Sequence, residues 1–190
     1  MKDLLDMAAE HANAAEIYVV SSETIPATFE MNKLKHVETR RMRGAALRVI
    51  RSGRIGFSSS TDIGEDAARE LVSMAVSSAD MGEPARFDLP GRIANGESAA
   101  PLIYDDEVAK LDADALIRMG QEIVDIITEY DSSIKCGVQL ERTVEDVAIA
   151  NSSRGGGSYR KTTLTTMVDA LLVEDNDIFM VFDMDGSCCS

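Results

Sequence analysis

The spacing of apolar and polar positions changes several times along the chain, and each change marks an element. In KDLLDMAAEHA, Leu5, Ala8, Ala9 and Ala12 recur at helical intervals, predicting a short amphipathic helix that caps a sheet edge. From Ala15 the texture becomes β-branched and aromatic, and AEIYVVSSET and TFEMNKLKHVETR predict two strands. A hairpin follows. Ala45, Leu47 and Val49 share one face by period two, Ile55 and Phe57 do the same on the return strand, and Ser52-Gly53 makes the turn. TDIGEDAARELVSMAVSSAD then predicts a helix: Asp62 and Glu65 fit a capping box, and Ala68, Leu71, Val72, Ala75, Val76 and Ala79 form one stripe.

Residues 82–106 hold three of the four prolines and predict an extended connector. A third helix follows, with Asp112 as N-cap and Leu116, Met119, Ile123, Ile126, Ile127 and Tyr130 on one face. The last third is strand-rich. Ile134, Cys136, Val138 and Leu140 alternate with polar positions, which puts Cys136 on the core face as a small hydrophobe. EDVAIANSS, YRKTTLTTMVDALLVED and DIFMVFDMD predict three more strands. The pattern predicts an α+β fold, a mainly antiparallel sheet with about three helices packed on it. Its expected organisation is a first domain over 1–82, a Pro/Gly-rich connector over 83–111 and a second domain over 112–190.

Composition narrows the function classes. A formal charge of −14 repels polyphosphate, so nucleic acid is disfavoured as a partner. No apolar run reaches the ~20 residues of a membrane span and no signal peptide is present, so a cytoplasmic protein without membrane contact is expected. Three cysteines, two of them adjacent, make no disulfide framework, and two distant histidines offer zinc too few ligands. The sequence therefore predicts no metal and no cofactor within this chain.

Two features could still bind something. Lys33, Lys35, Arg40, Arg41, Arg43, Arg48, Arg51 and Arg54 cluster within 22 residues, with Glu38 the single acid among them. Arginine suits bidentate carboxylate contacts, so Arg48, Arg51 and Arg54 are candidate contacts for an acidic protein partner, although pairing with this chain's own acids weighs more. Asn151 and Ser152, at a polar strand end before the glycine turn RGGGS, could meet an extended peptide by strand addition. RGGGS lacks the Lys-Ser/Thr ending and following helix of a phosphate loop and reads as a turn. No nucleophile elbow, His-Glu-x-x-His or trusted carboxylate pair occurs, so no catalytic residue is assigned.

AEIYVVSSETIPATFEMNKLKHVETRRMRGAALRVIRSGRIGFSSSTDI and the LVSMAVSSA helix together resemble the N-terminal region of the TldD/PmbA family, described as metallopeptidases and modulators of DNA gyrase. The Gly44–Ile50 strand, the Gly53–Phe57 return with Gly56, and the Thr-Asp helix start at Asp62 carry the likeness. DVAIANSSRGGG resembles the family's central strand end and glycine turn, and PARFDLP the PmbA-like branch. The resemblance implies a zinc peptidase parent whose metal sits on a His-Glu-x-x-x-His helix in a C-terminal domain. That helix is absent here, so this stretch is expected to be an N-terminal, non-catalytic portion, inactive alone. It would shape substrate access for a peptide and join a homo- or heterodimer with a family subunit. The alternative is a stand-alone protein-binding module using the basic cluster at residues 33–54.

Overall fold

A computed structural model of the chain describes residues 1–91 and 103–188. Four α-helices and seven strands follow one another as α1 (Lys2–Ala9), β1 (Ala14–Glu30), β2 (Lys33–Val37), β3 (Arg40–Arg51), β4 (Arg54–Ser60), α2 (Glu65–Ser78), α3 (Asp106–Lys110), α4 (Ala113–Tyr130), β5 (Lys135–Asn151), β6 (Gly156–Glu174) and β7 (Asp177–Ser187). The strands hydrogen-bond in the order β4-β3-β1-β5-β6-β7, with β2 on β1, and the β1–β2, β3–β4 and β6–β7 ladders are antiparallel. The α+β class read from the sequence holds. The connector predicted over 82–106 includes residues 92–102, which lie outside the described residues, and the short α3 occupies its far end.

Strand lengths differ from the sequence expectation. β1 and β5 each run unbroken for 17 residues, where alternation suggested shorter runs with polar interruptions. Those polar residues face one another across the ladder: Thr24 and Thr143 hydroxyls meet at 3.0 Å, and Arg142 Nη1 donates to Glu23 at 2.9 Å. Cross-strand polar pairs keep a ladder going where a one-strand reading sees a break.

The chain divides into two compact units, Met1–Ser22 with Met42–Ala100 and Asp146–Tyr159, and Glu23–Arg41 with Pro101–Glu145 and Arg160–Ser190. In the first unit, α1 and α2 cover one sheet face, burying Ala8, Ile17, Leu47, Val49, Leu71, Val72 and Ala75 together. The first helix thus packs on the face of the sheet, and its predicted place at an edge is corrected. In β4 the register decides which face is buried. Leu47 pairs with Ser58 and Val49 with Gly56, so Gly56 and Ser58 share the buried face while Phe57 is 58% exposed. Helix α2 lies so close that a Cβ on Gly56 would stand 2.0 Å from the Ala75 carbonyl. The buried Ser58 hydroxyl donates to the Leu71 carbonyl at 2.6 Å, which satisfies it without water.

The second unit packs α4 against its part of the sheet, burying Ile25, Ala27, Phe29, Leu116, Val124, Cys136, Val138 and Leu140. Asp112 caps α4 as expected, its side chain accepting the Ala115 N–H at 2.8 Å. The buried stripe is rotated from the predicted one: Leu116, Gly120 and Val124 are buried, whereas Ile126 and Tyr130 are exposed. The reason is Gly120, where a Cβ would come within 2.2 Å of the Phe29 ring. The ring fills the space a side chain would need, so the closest helix face is the one with the glycine.

Candidate functional site

The cluster singled out in the sequence lies on β2, β3 and the first residue of β4, and most of its members face acids of their own unit. Arg48, on β3, donates to Glu16 of β1 at 2.5 Å and stacks over Phe87 with 5.1 Å to the ring centroid. Arg51 meets Asp80 at 3.2 Å, and Arg54 donates to the Gly82 carbonyl at 2.7 Å. Lys35 pairs with Glu30, Arg40 with Glu38 and Arg41 with Glu23. Hydrogen bonds from Arg40 and then His36 hold the exposed Glu38 carboxyl below the usual range. Acids distant in sequence, such as Glu16 and Asp80, neutralise a stretch that looks purely basic when read locally.

Asn151 and Ser152 are likewise engaged within the fold. Asn151 is buried; its Oδ1 accepts the N–H groups of Ser153 at 3.0 Å and Gly155 at 2.9 Å, and its Nδ2 donates to the Pro90 carbonyl at 3.0 Å. Ser152 Oγ accepts the Ala15 N–H at 3.0 Å while its own N–H donates to the Ala15 carbonyl at 2.8 Å. The structure therefore brings Arg48, Asn151 and Ser152 to the start of β1 and the Phe87–Gly91 strap of the same unit, and leaves Arg51 and Arg54 at the β3–β4 turn. Backbone groups that a visiting strand would need at Ser152 are already used.

The signature positions have distinct roles. Ser52 and Gly53 both take positive φ, 50° and 74°, the geometry of a two-residue hairpin turn. Asp62 does not complete the capping box: its Oδ1 accepts the Gly64 N–H at 2.9 Å, the helix starts at Glu65, and Glu65 pairs with Arg69 instead. Gly44 enters a groove of about 590 Å³ lined by Tyr18, Val20, Met42, Ala46, Ser59 and Thr61 among others, on the sheet face turned away from α2. Its floor is low because Gly44, Ala46 and Ser59 are all small. Such a groove, hydroxyl-edged and without a charged lining residue, suits an extended polypeptide better than an anion.

Sequence reading missed one buried charge. Arg142 is 7% exposed on its side chain, with Glu23 on Nη1 and the Ala109 carbonyl on Nη2. Hydrogen bonds from Arg142, then Arg41, hold the Glu23 carboxyl below its ordinary value. Cys136 is buried, and desolvation, aided by the charge of Asp169, pushes its thiol up, away from nucleophilic use. Among the described residues no three His, Cys, Asp or Glu side chains converge on a point that could hold a metal. His11 lies in the first unit and His36 in the second, and Cys189 lies outside the described residues. Among the described residues no helix is long and apolar enough to cross a membrane.

The family model described as PmbA/TldA metallopeptidase domain 1 matches residues 15–79, the span from β1 through α2 that carries the groove, the turn and Gly56. This span is similar to the first domain of the TldD/PmbA family. Comparison with curated proteins finds no match. Solved structures with this fold include TldE from Thermococcus kodakarensis, 18% identical with a TM-score of 0.84 over 99% of this chain and 43% of that one. A protein of Bacteroides thetaiotaomicron described as "a putative modulator of DNA gyrase" is 17% identical with a TM-score of 0.85, over 99% of this chain and 44% of that one. A similarly described Thermotoga maritima protein is 12% identical with a TM-score of 0.79, over 99% and 42%. The likeness to these structures is one of fold over nearly the whole chain, while the chain spans less than half the length of each of them.

Proposed function

We propose that this chain acts as the N-terminal, non-catalytic portion of a TldD/PmbA-type metallopeptidase, helping to control which peptides reach a metal centre carried elsewhere and taking part in a homo- or heterodimer with a family subunit. The observation that carries this reading is the domain 1 match over residues 15–79, joined to a shared fold over 99% of the chain. The groove at Gly44, Ala46 and Ser59 supports the part concerning access, since it is open and its lining residues carry no charge. Zinc belongs, on this reading, to the C-terminal domain of active family members, where it would supply Lewis-acid activation of water. No step of that chemistry falls to residues of this chain. The alternative of a stand-alone module docking an acidic partner gains no support, because Arg48, Arg51 and Arg54 already have partners. The gyrase description belongs to the Bacteroides and Thermotoga proteins, and a charge of −14 opposes direct contact with DNA.

Two measurements on the purified 190-residue chain test this. Elemental analysis should find zinc far below one ion per chain, and casein should survive with or without chelator; stoichiometric zinc or chelator-sensitive cleavage would overturn the non-catalytic assignment. Titration of an isotope-labelled sample with an unfolded casein fragment should move the amide resonances around Tyr18, Gly44 and Ser59. Movement confined to other residues, or none at millimolar peptide, would remove the access role.

A further inference from the structure

The glycine turn RGGGS has no part in the groove's floor, and the structure sets it against the strap that follows α2. The strap begins on the outer edge of β4. There the Phe57 N–H donates to Ser78 Oγ at 2.8 Å, the Ile55 N–H to the Glu83 carbonyl at 2.9 Å and the Ala85 N–H to the Gly53 carbonyl at 2.8 Å. Arg54 Nη1 adds its bond to the Gly82 carbonyl at 2.7 Å. Gly82 sits so close that a Cβ on it would stand 1.8 Å from the Ile55 carbonyl oxygen. Gly82, Glu83 and Ala85 are thus each hydrogen-bonded to the β3–β4 hairpin, and this end of the strap is firmly seated.

The far end is held by less. Asn151 Nδ2 donates to the Pro90 carbonyl at 3.0 Å, Gly91 makes a single bridge to Arg154, and Leu89 is buried. Gly155 forms the seat, since a Cβ there would come within 2.2 Å of the Pro90 carbonyl oxygen. Between the two ends, Arg86–Leu89 make no backbone bond to the sheet among the described residues, and the Phe87 ring rests on the Arg48 guanidinium. That stack has a cost. Arg48 Nε is buried with no acceptor among the described residues, and a buried donor left unpaired raises the energy of the fastened state.

We propose that residues 86–91 form a gate that swings on Ala85 and is latched at Pro90 by Asn151 and Gly155. The hinge falls at Ala85 because the bonds before it keep Gly82–Ala85 on the hairpin, whereas one side-chain bond, one bridge and Leu89 hold the other end. Gly44 and Ala46 of the groove floor precede Arg48 on one face of β3, so the gate stands where the groove reaches Arg48. Latched, it ends the groove there. Unlatched, it leaves the paired positions Arg48 and Phe57 open to a polypeptide lying in the groove. The use of the gate rests on the reading of the groove as a peptide site, while its motion rests on the strap's own contacts.

The test uses the full chain with fluorine-labelled phenylalanine, the Phe87 signal being assigned with Phe87→Leu, and fluorine relaxation dispersion at neutral pH. Phe87 should exchange between two environments on the microsecond-to-millisecond scale. Asn151→Asp keeps the acceptor for the Ser153 and Gly155 N–H groups but removes the donor to Pro90, so it should raise the open population at least tenfold. Gly155→Ala, which crowds the Pro90 carbonyl, should do the same, and Arg54→Ala, on the hinge side, should leave the population unchanged. A single Phe87 environment in every variant, or equal responses to Arg54→Ala and Asn151→Asp, overturns the gate. The unfolded casein fragment should then move the Arg48 and Ile50 amides at least tenfold more in Asn151→Asp than in the native chain. If it moves Gly44 in both proteins but reaches Ile50 equally, the gate falls and the peptide reading stands. If it moves no resonance near Gly44 in either while Phe87 exchanges as stated, the peptide reading falls and the latch stands.

Discussion

Glu23 shows how one residue can couple the fold to pH. Its carboxylate accepts from Arg142, almost fully buried, and from Arg41, and both hold its pKa below the ordinary value. A folded-state pKa lower than the unfolded one contributes stability above the unfolded value, and that contribution fades as pH falls through the folded value. Glu23→Gln should therefore cost about 1.5–3 kcal/mol at neutral pH, the usual worth of a hydrogen bond to a charged group. It should also flatten the loss of stability on acidification, and urea titrations from pH 7 to pH 3 would read both. A variant that keeps the native acid dependence would show that Glu23 is not its source. At Gly56 the constraint is spatial: with the Ala75 carbonyl 2.0 Å from any added Cβ, Gly56→Ala should lower stability by about 1–3 kcal/mol through overpacking. An unchanged urea midpoint would mean that α2 can lift off β4 at little cost.

At the scale of elements, periodicity announced what forms but not always which side is buried. Helix α4 and its Asp112 cap, helix α2 and the Cys136–Leu140 alternation were legible because each depends on spacing within one segment. Period two put Ile55 and Phe57 on one face of β4, and only register with β3 decided that Gly56 and Ser58, on the other face, meet the core. The groove at Gly44 was likewise out of reach, since its walls come from β1, β3 and β4 together. The closure of the β4 edge by Ser78 yields a prediction of its own. Ser78→Ala should remove about 1 kcal/mol and speed amide exchange at Phe57, with little change at Leu47 in the covered ladder. Equal acceleration at both amides would mean global loosening, and the edge cap would then not be the cause.

For the whole molecule, the charge of −14 and the exposed β7 hairpin act against each other. Repulsion between chains opposes self-association at neutral pH and vanishes near the isoelectric point of about 4.5. Light scattering should peak near that pH, and Met180→Glu should suppress the peak by interrupting the apolar face. Scattering that ignores this substitution would locate the sticky surface elsewhere. Reversing Arg48, Arg51 and Arg54 together should lower the thermal midpoint, because Glu16 and Asp80 would then face like charges. A midpoint that stays put would return those arginines to the solvent-facing role their sequence suggested.

The amino-acid sequence by itself determined the class of fold, most element positions, the two-residue turn at Ser52-Gly53 and the burial of Cys136, because these follow from periodicity and local backbone preference. Tertiary structure decided which carboxylates Arg48, Arg51 and Arg142 meet, and where Gly56 and Gly120 admit a neighbour. Those outcomes depend on residues such as Glu16, Ala75 and Phe29 that are remote along the chain, and closeness in space between remote segments is set only when the whole sheet has paired.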